Sequence, residues 1–382
     1  MPQKLIFVPD SFKGSLSAQR VCQLMAQAAE MALPGMPCVS IPIADGGEGT
    51  TDAFLAATGG DRIPCTVTGP WGEPVDACYG RLPGDTAVIE MAAAAGLPLV
   101  GNHKNPEKTT TCGVGQLILA ALNAGAKEII LGLGGSATND GGCGAAAALG
   151  VRFLDASGVA FTPTGETLHR IAAIDPAPAR ALLRDKRLRI MCDIRNPLCG
   201  PQGAAAVFGP QKGADAAMIR RLDAGLAHLA QIVLRDTGAD MALLPGAGAA
   251  GGMGGGMAAL LGGEMQMGIE TLLDAVDFDR LLDDAALVLT GEGRLDSQSL
   301  EGKAVIGVSR RCAKKRVPCL ALVGSYAGDL APAYAAGLTA AFPLCAGPCS
   351  LAEAMENAEH SLLAAAKNAL RLFGAGMQNR KE

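Results

Sequence analysis

Aromatic residues are scarce, at 3% of a 382-residue chain with a single Trp. A core of this size must then be built from Ala, Leu, Val and Ile. Charged residues are also few, at 18% against 49% hydrophobic, which excludes extended disorder. There is no basic excess: 32 Lys and Arg against 37 Asp and Glu give a formal charge of −5. That argues against general nucleic-acid binding, which needs a basic surface, but still allows a local site for a small anion. No apolar run free of charges and glycines reaches the ~18 residues of a membrane span, and the opening MPQKLIFVPDS is too short in apolar residues for a signal peptide. The 12 Cys contain no Cys-x-x-Cys pair. Cys345 and Cys349 alone are close, with no His nearby, which argues against zinc, and Cys192 and Cys319 read as small buried hydrophobes. The expectation is a cytoplasmic, reduced protein with neither nucleic acid nor membrane as partner. Its oligomeric state is not legible.

What the chain has in excess is glycine, 51 residues without a collagen period. Much of it must lie in loops between compact elements. At roughly 150 residues per domain, the length suggests two domains or three. Residues 4–8 read as a strand, 15–32 as a helix with Val21, Leu24, Met25 and Ala28 on one face, 38–43 as a strand and 48–58 as a helix. The C-terminal part repeats this alternation: strand 285–290, helix 303–315, strand 318–323, a short helix, strand 338–344 and a long helix 351–373. Strands alternating with helices imply a parallel sheet covered on both faces. The middle differs. Short strands at 63–68, 75–82 and 86–91 with turn signals between them suit hairpins, followed by helix 110–124, strands 127–133 and 187–192, helix 214–236 and a Gly-rich run at 246–256. The expected architecture is α/β: residues 1–62 with 285–382 forming one parallel-sheet domain, residues 63–284 inserted as a second, mixed α/β domain, and a cleft between them.

Five loops place charged residues beside glycine just past a strand, where ligands bind in open α/β sheets. In PDSFKGSLS (9–17), Asp10 and Ser11 leave the strand and Lys13 precedes Gly14; a helix start there can receive phosphate. In ADGGEGT (44–50), Asp45 and Glu48 suit Mg²⁺ held with its waters. In GGSATNDGG (134–142), Gly134, Gly135, Ser136, Thr138 and Asn139 can wrap phosphates while Asp140 faces a metal. In CDIRNPLCG (192–200), Asp193 is placed as a phosphoryl-transfer base, with Arg195 and Asn196 at the substrate. In TGEGRLDSQSLEGKA (290–304), Gly291 and Gly293 line the nucleotide, Glu292 and Asp296 join the metal-binding acids, and Arg294 and Lys303 balance transferred charge. Each loop also has a plainer reading as a capped turn or a solvated surface.

Walker A is absent, since Gly302-Lys303 has no Gly at 297 and is followed by Ala304. GAGAAG (246–251) matches G-x-G-x-x-G in form, but Pro245 precedes it and more glycines follow; a flexible Gly-rich wall or hinge fits better. The four His lie outside these loops.

At PDSFKGSLSA, IPIADGGEGT, GLGGSATNDGG, CDIRNPLCGPQGAAAVFGPQKGA, GAGAAGGMGGG and TGEGRLDSQSLEGKAVIGV, six ordered stretches between residues 9 and 308, the sequence resembles the bacterial type I glycerate kinase family. Ser299 stands where that family commonly carries Thr. The resemblance implies ATP-dependent phosphorylation of D-glycerate with Mg²⁺, leaning toward 2-phosphoglycerate. It also implies a Rossmann- or flavodoxin-like domain interrupted by a mixed α/β domain. Glycines, hydroxyls, lysines and carboxylates without His or Cys fit phosphoryl transfer on their own account. The residues leave other readings open: phosphorylation at the 3-hydroxyl, a kinase of another small hydroxy acid, a nucleotide- or sugar-acid-binding regulator, or an oxidoreductase resting on GAGAAG.

Overall fold

Leu5, Ile6, Phe7 and Val8 are fully buried in a strand, Lys4–Pro9, that lies inside a five-stranded parallel sheet. A strand covered on both faces needs such an uninterrupted apolar run. The computed structural model describes residues 3–44, 46–296, 304–345 and 347–378. They form two compact units, Met1–Ala44 with Ile269–Glu382, and Asp45–Gly268.

In the first unit the strand order is Ala340–Pro343, Cys319–Tyr326, Ala285–Leu295, Lys4–Pro9, Cys38–Ser40, every pair parallel. Counted along this unit, that is the flavodoxin-like order 2-1-3-4-5, which reverses between Lys4–Pro9 and Ala285–Leu295. Helix Ala18–Ala32 is capped by Ser17, whose hydroxyl accepts from the Arg20 N–H, and it buries Val21, Leu24, Met25 and Ala28 against this sheet and against helix Ala358–Gln378. The second strand is shorter than expected. Pro42 removes a ladder donor, although Ile41 and Ile43 still donate to the Phe7 and Pro9 carbonyls. The long C-terminal helix is two, Leu351–Glu356 and Ala358–Gln378; the Asn357 side chain between them bonds the Glu353 carbonyl and competes with the helical ladder.

In the second unit, strands Glu264–Gln266, Arg187–Met191, Glu128–Gly132 and Thr86–Glu90 are parallel neighbours, and Pro74–Leu82 and Asp61–Thr68 continue the sheet as antiparallel strands. A three-stranded antiparallel sheet, Ala160–Phe161, Arg152–Leu154 and Ala173–Asp175, was not visible in the sequence. The chain passes between units at Ala44/Asp45 and at Gly268/Ile269, whereas the sequence placed the crossings at 62/63 and 284/285. Gly59 and Gly60, just before the expected 62/63 boundary, lie inside the second unit.

The Gly-rich run is neither a wall nor a hinge. Residues Ala249–Leu261 are helical with a break at Ala250–Gly252, and most of their glycines are buried. A Cβ at Gly251 would collide with the Thr138 carbonyl oxygen, and one at Gly256 with that of Gly141. Glycine here lets a helix backbone lie against the 138–142 loop. Among the described residues, no helix is long and apolar enough to cross a membrane.

Candidate active site

Each unit gathers candidate residues at the C-terminal ends of its own parallel strands. In the first unit they lie where the strand order reverses. The Asp10 N–H donates to the Gly291 carbonyl, and the Ser11 N–H donates to Asp10 Oδ1 at 2.6 Å. The position a Cβ would take at Gly293 lies 3.5 Å from the Lys13 backbone nitrogen, which places the 10–14 loop beside strand Ala285–Leu295. Lys13 and Arg294 are exposed, Glu292 and Asp296 half-buried, and Arg294 Nε stands 3.7 Å from Asp296 Oδ2. The first unit thus brings together Asp10, Ser11, Lys13, Gly291, Glu292, Gly293, Arg294 and Asp296. Lys303 lies outside the described residues.

In the second unit three loops converge past Gly132 and Met191. The Gly134 N–H donates to the Gly46 carbonyl, and a Cβ at Gly134 would strike Gly47, so the 46–49 turn rests directly on the glycine loop. Gly46 also lies against Met191, at the end of the strand that leads to Asp193. Asp193 Oδ1 accepts from the Gly268 N–H at 2.7 Å, which orients the half-buried carboxylate. Arg195 is exposed next to it. Asn196 donates from Nδ2 to the Gln202 carbonyl and accepts from the Gly248 N–H through its backbone, so its side chain ties a turn. Glu48 is exposed, and Asp45 lies outside the described residues.

The 134–140 loop differs from the sequence reading at its acid. Asp140 is fully buried and accepts four hydrogen bonds: Thr111 N–H and Thr111 Oγ1–H at 2.8 Å, Gly142 N–H at 3.0 Å and Gly144 N–H at 3.3 Å. Burial raises its pKa against those four donors. Its lone pairs are committed to holding the loop, so the expected metal-ligand role is replaced by an internal brace. The next residue back is the opposite case. Both side-chain polar atoms of Asn139 and the Thr138 hydroxyl are buried without a hydrogen-bond partner among the described residues. Buried polar atoms left unpaired cost about 1–3 kcal/mol each, and such groups mark places where a polar ligand or water belongs.

Sequence reasoning missed Lys212. Its side chain is 2% exposed, and its ammonium donates to Ser136 Oγ at 2.8 Å and to the Thr138 carbonyl at 2.7 Å. Burial pushes its pKa down to about 7, opposed by the charge of Asp140. It lies within the stretch GPQKGA, where nothing in the local sequence marks the lysine as buried. Thr109 and Thr111 were missed too; Thr109 Oγ1 donates to the Ala137 carbonyl and Thr111 Oγ1 accepts from Ala145. The only signal for them was the run Thr109-Thr110-Thr111 before a helix. A cavity of about 310 Å³ lined by Tyr79, Arg81, Asp85 and Thr86 lies at the opposite strand ends and holds none of the candidate residues.

Residues 5–374 match the glycerate kinase family. The chain belongs to the glycerate kinase family. It is a kinase, a phosphotransferase with an alcohol group as acceptor. It is 46% identical to a glycerate kinase of Bacillus subtilis (strain 168), over 93% of this chain and 94% of that one. It is 44% identical to the glycerate 2-kinase of Escherichia coli (strain K12), over 98% and 99%. A crystal structure from Salmonella typhimurium LT2, described as a candidate glycerate kinase 2, matches 99% of this chain and all of its own at 42% identity and a TM-score of 0.86. The two-unit α/β architecture is thus shared along the full length.

The 134–139 loop holds the Ser136 and Thr138 hydroxyls, the unpaired Asn139 amide and the neighbouring Lys212 ammonium, groups chemically suited to a phosphate. Mg²⁺ is different. Among the described residues no three His, Cys, Asp or Glu side chains come together as a metal site. Magnesium commonly takes one or two carboxylates and completes its shell with phosphates and water. With Asp140 committed, the described acids chemically suited to that are Glu48, Glu292 and Asp296.

Proposed function

We propose that this chain is a bacterial type I glycerate kinase that transfers the γ-phosphoryl group of ATP to the 2-hydroxyl of D-glycerate. The observation that carries the reading is the 134–139 loop, where a buried unpaired amide and hydroxyl stand beside a buried ammonium. The name of the Escherichia coli relative, glycerate 2-kinase, supports the 2-hydroxyl. Phosphoryl transfer asks a protein mainly for positioning and charge neutralisation, and the residues supply both.

In this reading Gly134, Gly135, Ser136, Thr138 and Asn139 hold nucleotide phosphates, with Gly291 and Gly293 giving close backbone approach in the first unit. Arg195 pairs with the glycerate carboxylate, and Asp10 and Ser11 bind its hydroxyls. Asn196 shapes the turn that carries Arg195. Asp193 accepts the proton of the attacking hydroxyl as the new P–O bond forms and ADP departs. Lys13, Arg294 and Lys303 offset the transferred charge. Mg²⁺ neutralises phosphate charge when bound, with Glu48, Glu292, Asp296 and Asp45 as its carboxylates. A cytoplasmic placement is part of the same proposal.

Incubation with ATP, Mg²⁺ and D-glycerate, followed by ³¹P NMR of the product, tests it. A phosphate ester on the C2 methine is split into a doublet, and one on the C3 methylene into a triplet. A doublet is expected. A triplet overturns the 2-hydroxyl, and absence of ADP and ester overturns the substrate.

A further inference from the structure

A lysine 2% exposed is costly to place, because burial disfavours its charged form and its long side chain must be ordered. Among the described residues no carboxylate is bonded to Lys212; its two hydrogen-bond partners there are a hydroxyl and a carbonyl, both in the 136–138 segment. The lysine ends a short turn, Pro210–Lys212, that is locked in place on both sides. The Lys212 N–H donates to the Gly209 carbonyl, the Gly213 N–H to the Pro210 carbonyl, and a Cβ at Gly213 would crowd Lys104. The clamp is therefore delivered from one rigid turn to a separate loop, 74 residues away in sequence at Thr138. From its other side that loop is braced by Asp140 and by Gly251, whose carbonyl accepts the Gly141 N–H.

Between these two braces lie the Thr138 hydroxyl and the Asn139 amide, buried and unpartnered among the described residues. A loop built only for stability would pair them. A loop held open for a ligand would fix its backbone from outside and leave the inward polar groups unpaired, as here.

We propose that Lys212 is a positioning residue for phosphoryl transfer, whose ammonium clamps Ser136 and the Thr138 carbonyl so that Thr138 and Asn139 present their polar groups to an oxyanion of the nucleotide. The inference rests on the reading of the 134–139 loop as the nucleotide site. It predicts that the lysine acts on nucleotide binding and not on the acid substrate.

The test is Lys212→Met, which keeps most of the side-chain length and apolar stem while removing the charge and all donors. The variant removes the desolvation cost of a buried charge but leaves Ser136 and the Thr138 carbonyl without this donor, and a thermal melt checks that it folds. Calorimetric titration with ADP should show affinity reduced at least about tenfold, a loss expected when a charge-assisted contact is removed. KM for D-glycerate should stay within about threefold. Lys212→Arg, which keeps charge and donors, should recover part of the ADP affinity if the variant melts like wild type. Asn139→Ala leaves the clamp intact and reports on the loop itself. If Asn139→Ala weakens ADP but a folded Lys212→Met binds it within threefold of wild type, the positioning role is wrong and the loop reading survives. If Asn139→Ala leaves ADP affinity unchanged, or if both variants shift D-glycerate instead, the loop reading falls and this inference with it. Equal loss for both substrates in Lys212→Met would reduce Lys212 to a structural residue.

Discussion

Asp193 and Lys212 hold their positions by opposite means, and each makes a separate prediction. Asp193 follows a buried strand and is oriented by the Gly268 N–H. Asp193→Asn keeps the shape and removes the basicity, and a positioned base contributes about 10²- to 10⁴-fold. Turnover should fall within that range while ADP binding stays within about threefold; a variant with more than a tenth of wild-type turnover would free Asp193 of the base role. Lys212 carries a pH signature in stability. Its folded pKa, about 7, lies below the ordinary 10.5, so between those values the unfolded chain binds more protons than the folded one. Stability contributed at this site therefore rises with pH from about 7 toward 10.5. The field of Asp140 opposes the shift. Urea melts of wild type and Lys212→Met across this range should show the difference between them moving in favour of wild type as pH rises. A constant difference would mean that the lysine is protonated throughout.

At the scale of elements, the Gly-rich helix Ala249–Leu261 has the most to explain, because its bare backbone lies directly against the 138–142 loop. Gly251 has φ +67° and faces the Thr138 carbonyl. Gly251→Ala adds a left-handed backbone penalty of about 1–2 kcal/mol and a collision that must shift the loop. Gly158, also at positive φ but with open space around it, is the control: alanine there should cost the backbone penalty alone. Denaturant midpoints should separate the two variants, and only Gly251→Ala should weaken ADP binding; equal effects would detach the helix from the loop. This helix also shows what the sequence could carry. Buried strands such as 4–9 and 128–132 were legible because an apolar run between turn residues has few other fates. Thirteen residues dominated by Gly and Ala show no apolar period and carry a low helix propensity, so only tertiary packing makes them helical. Candidate site residues were legible as loops past strands. Their individual duties were not: Asp140 looked like a metal ligand until its four donors appeared, and nothing local marked Lys212 as buried. Both Lys212 contacts, and the two from Thr111 to Asp140, depend on partners distant in sequence, which no local pattern encodes.

For the whole molecule, chain order makes the two units unequal. The first is assembled from two segments, Met1–Ala44 and Ile269–Glu382, separated by the entire second unit, which is continuous. Strand Lys4–Pro9 pairs with Ala285–Leu295 across that gap. Closing a flexible loop of more than two hundred residues costs on the order of 5 kcal/mol, comparable to the net stability of a small domain. A folded second unit replaces that loop with a fixed span, so the first unit should depend on the second, and not the reverse. Leu131 and Leu289 are both fully buried, each in the core of its own unit. Either change to alanine should cost about 2–5 kcal/mol. Leu131→Ala should accelerate amide exchange in Glu128–Gly132 and also in Lys4–Pro9 of the other unit. Leu289→Ala should accelerate exchange in Lys4–Pro9 and leave Glu128–Gly132 near its wild-type rate. At about tenfold per 1.4 kcal/mol, the expected increases are thirtyfold or more, well within the reach of exchange mass spectrometry. If Leu131→Ala left Lys4–Pro9 protected as in wild type, the first unit would be holding its two segments together without help, and the sheet contacts across Lys4–Pro9 and Ala285–Leu295 would have to outweigh the closure cost alone.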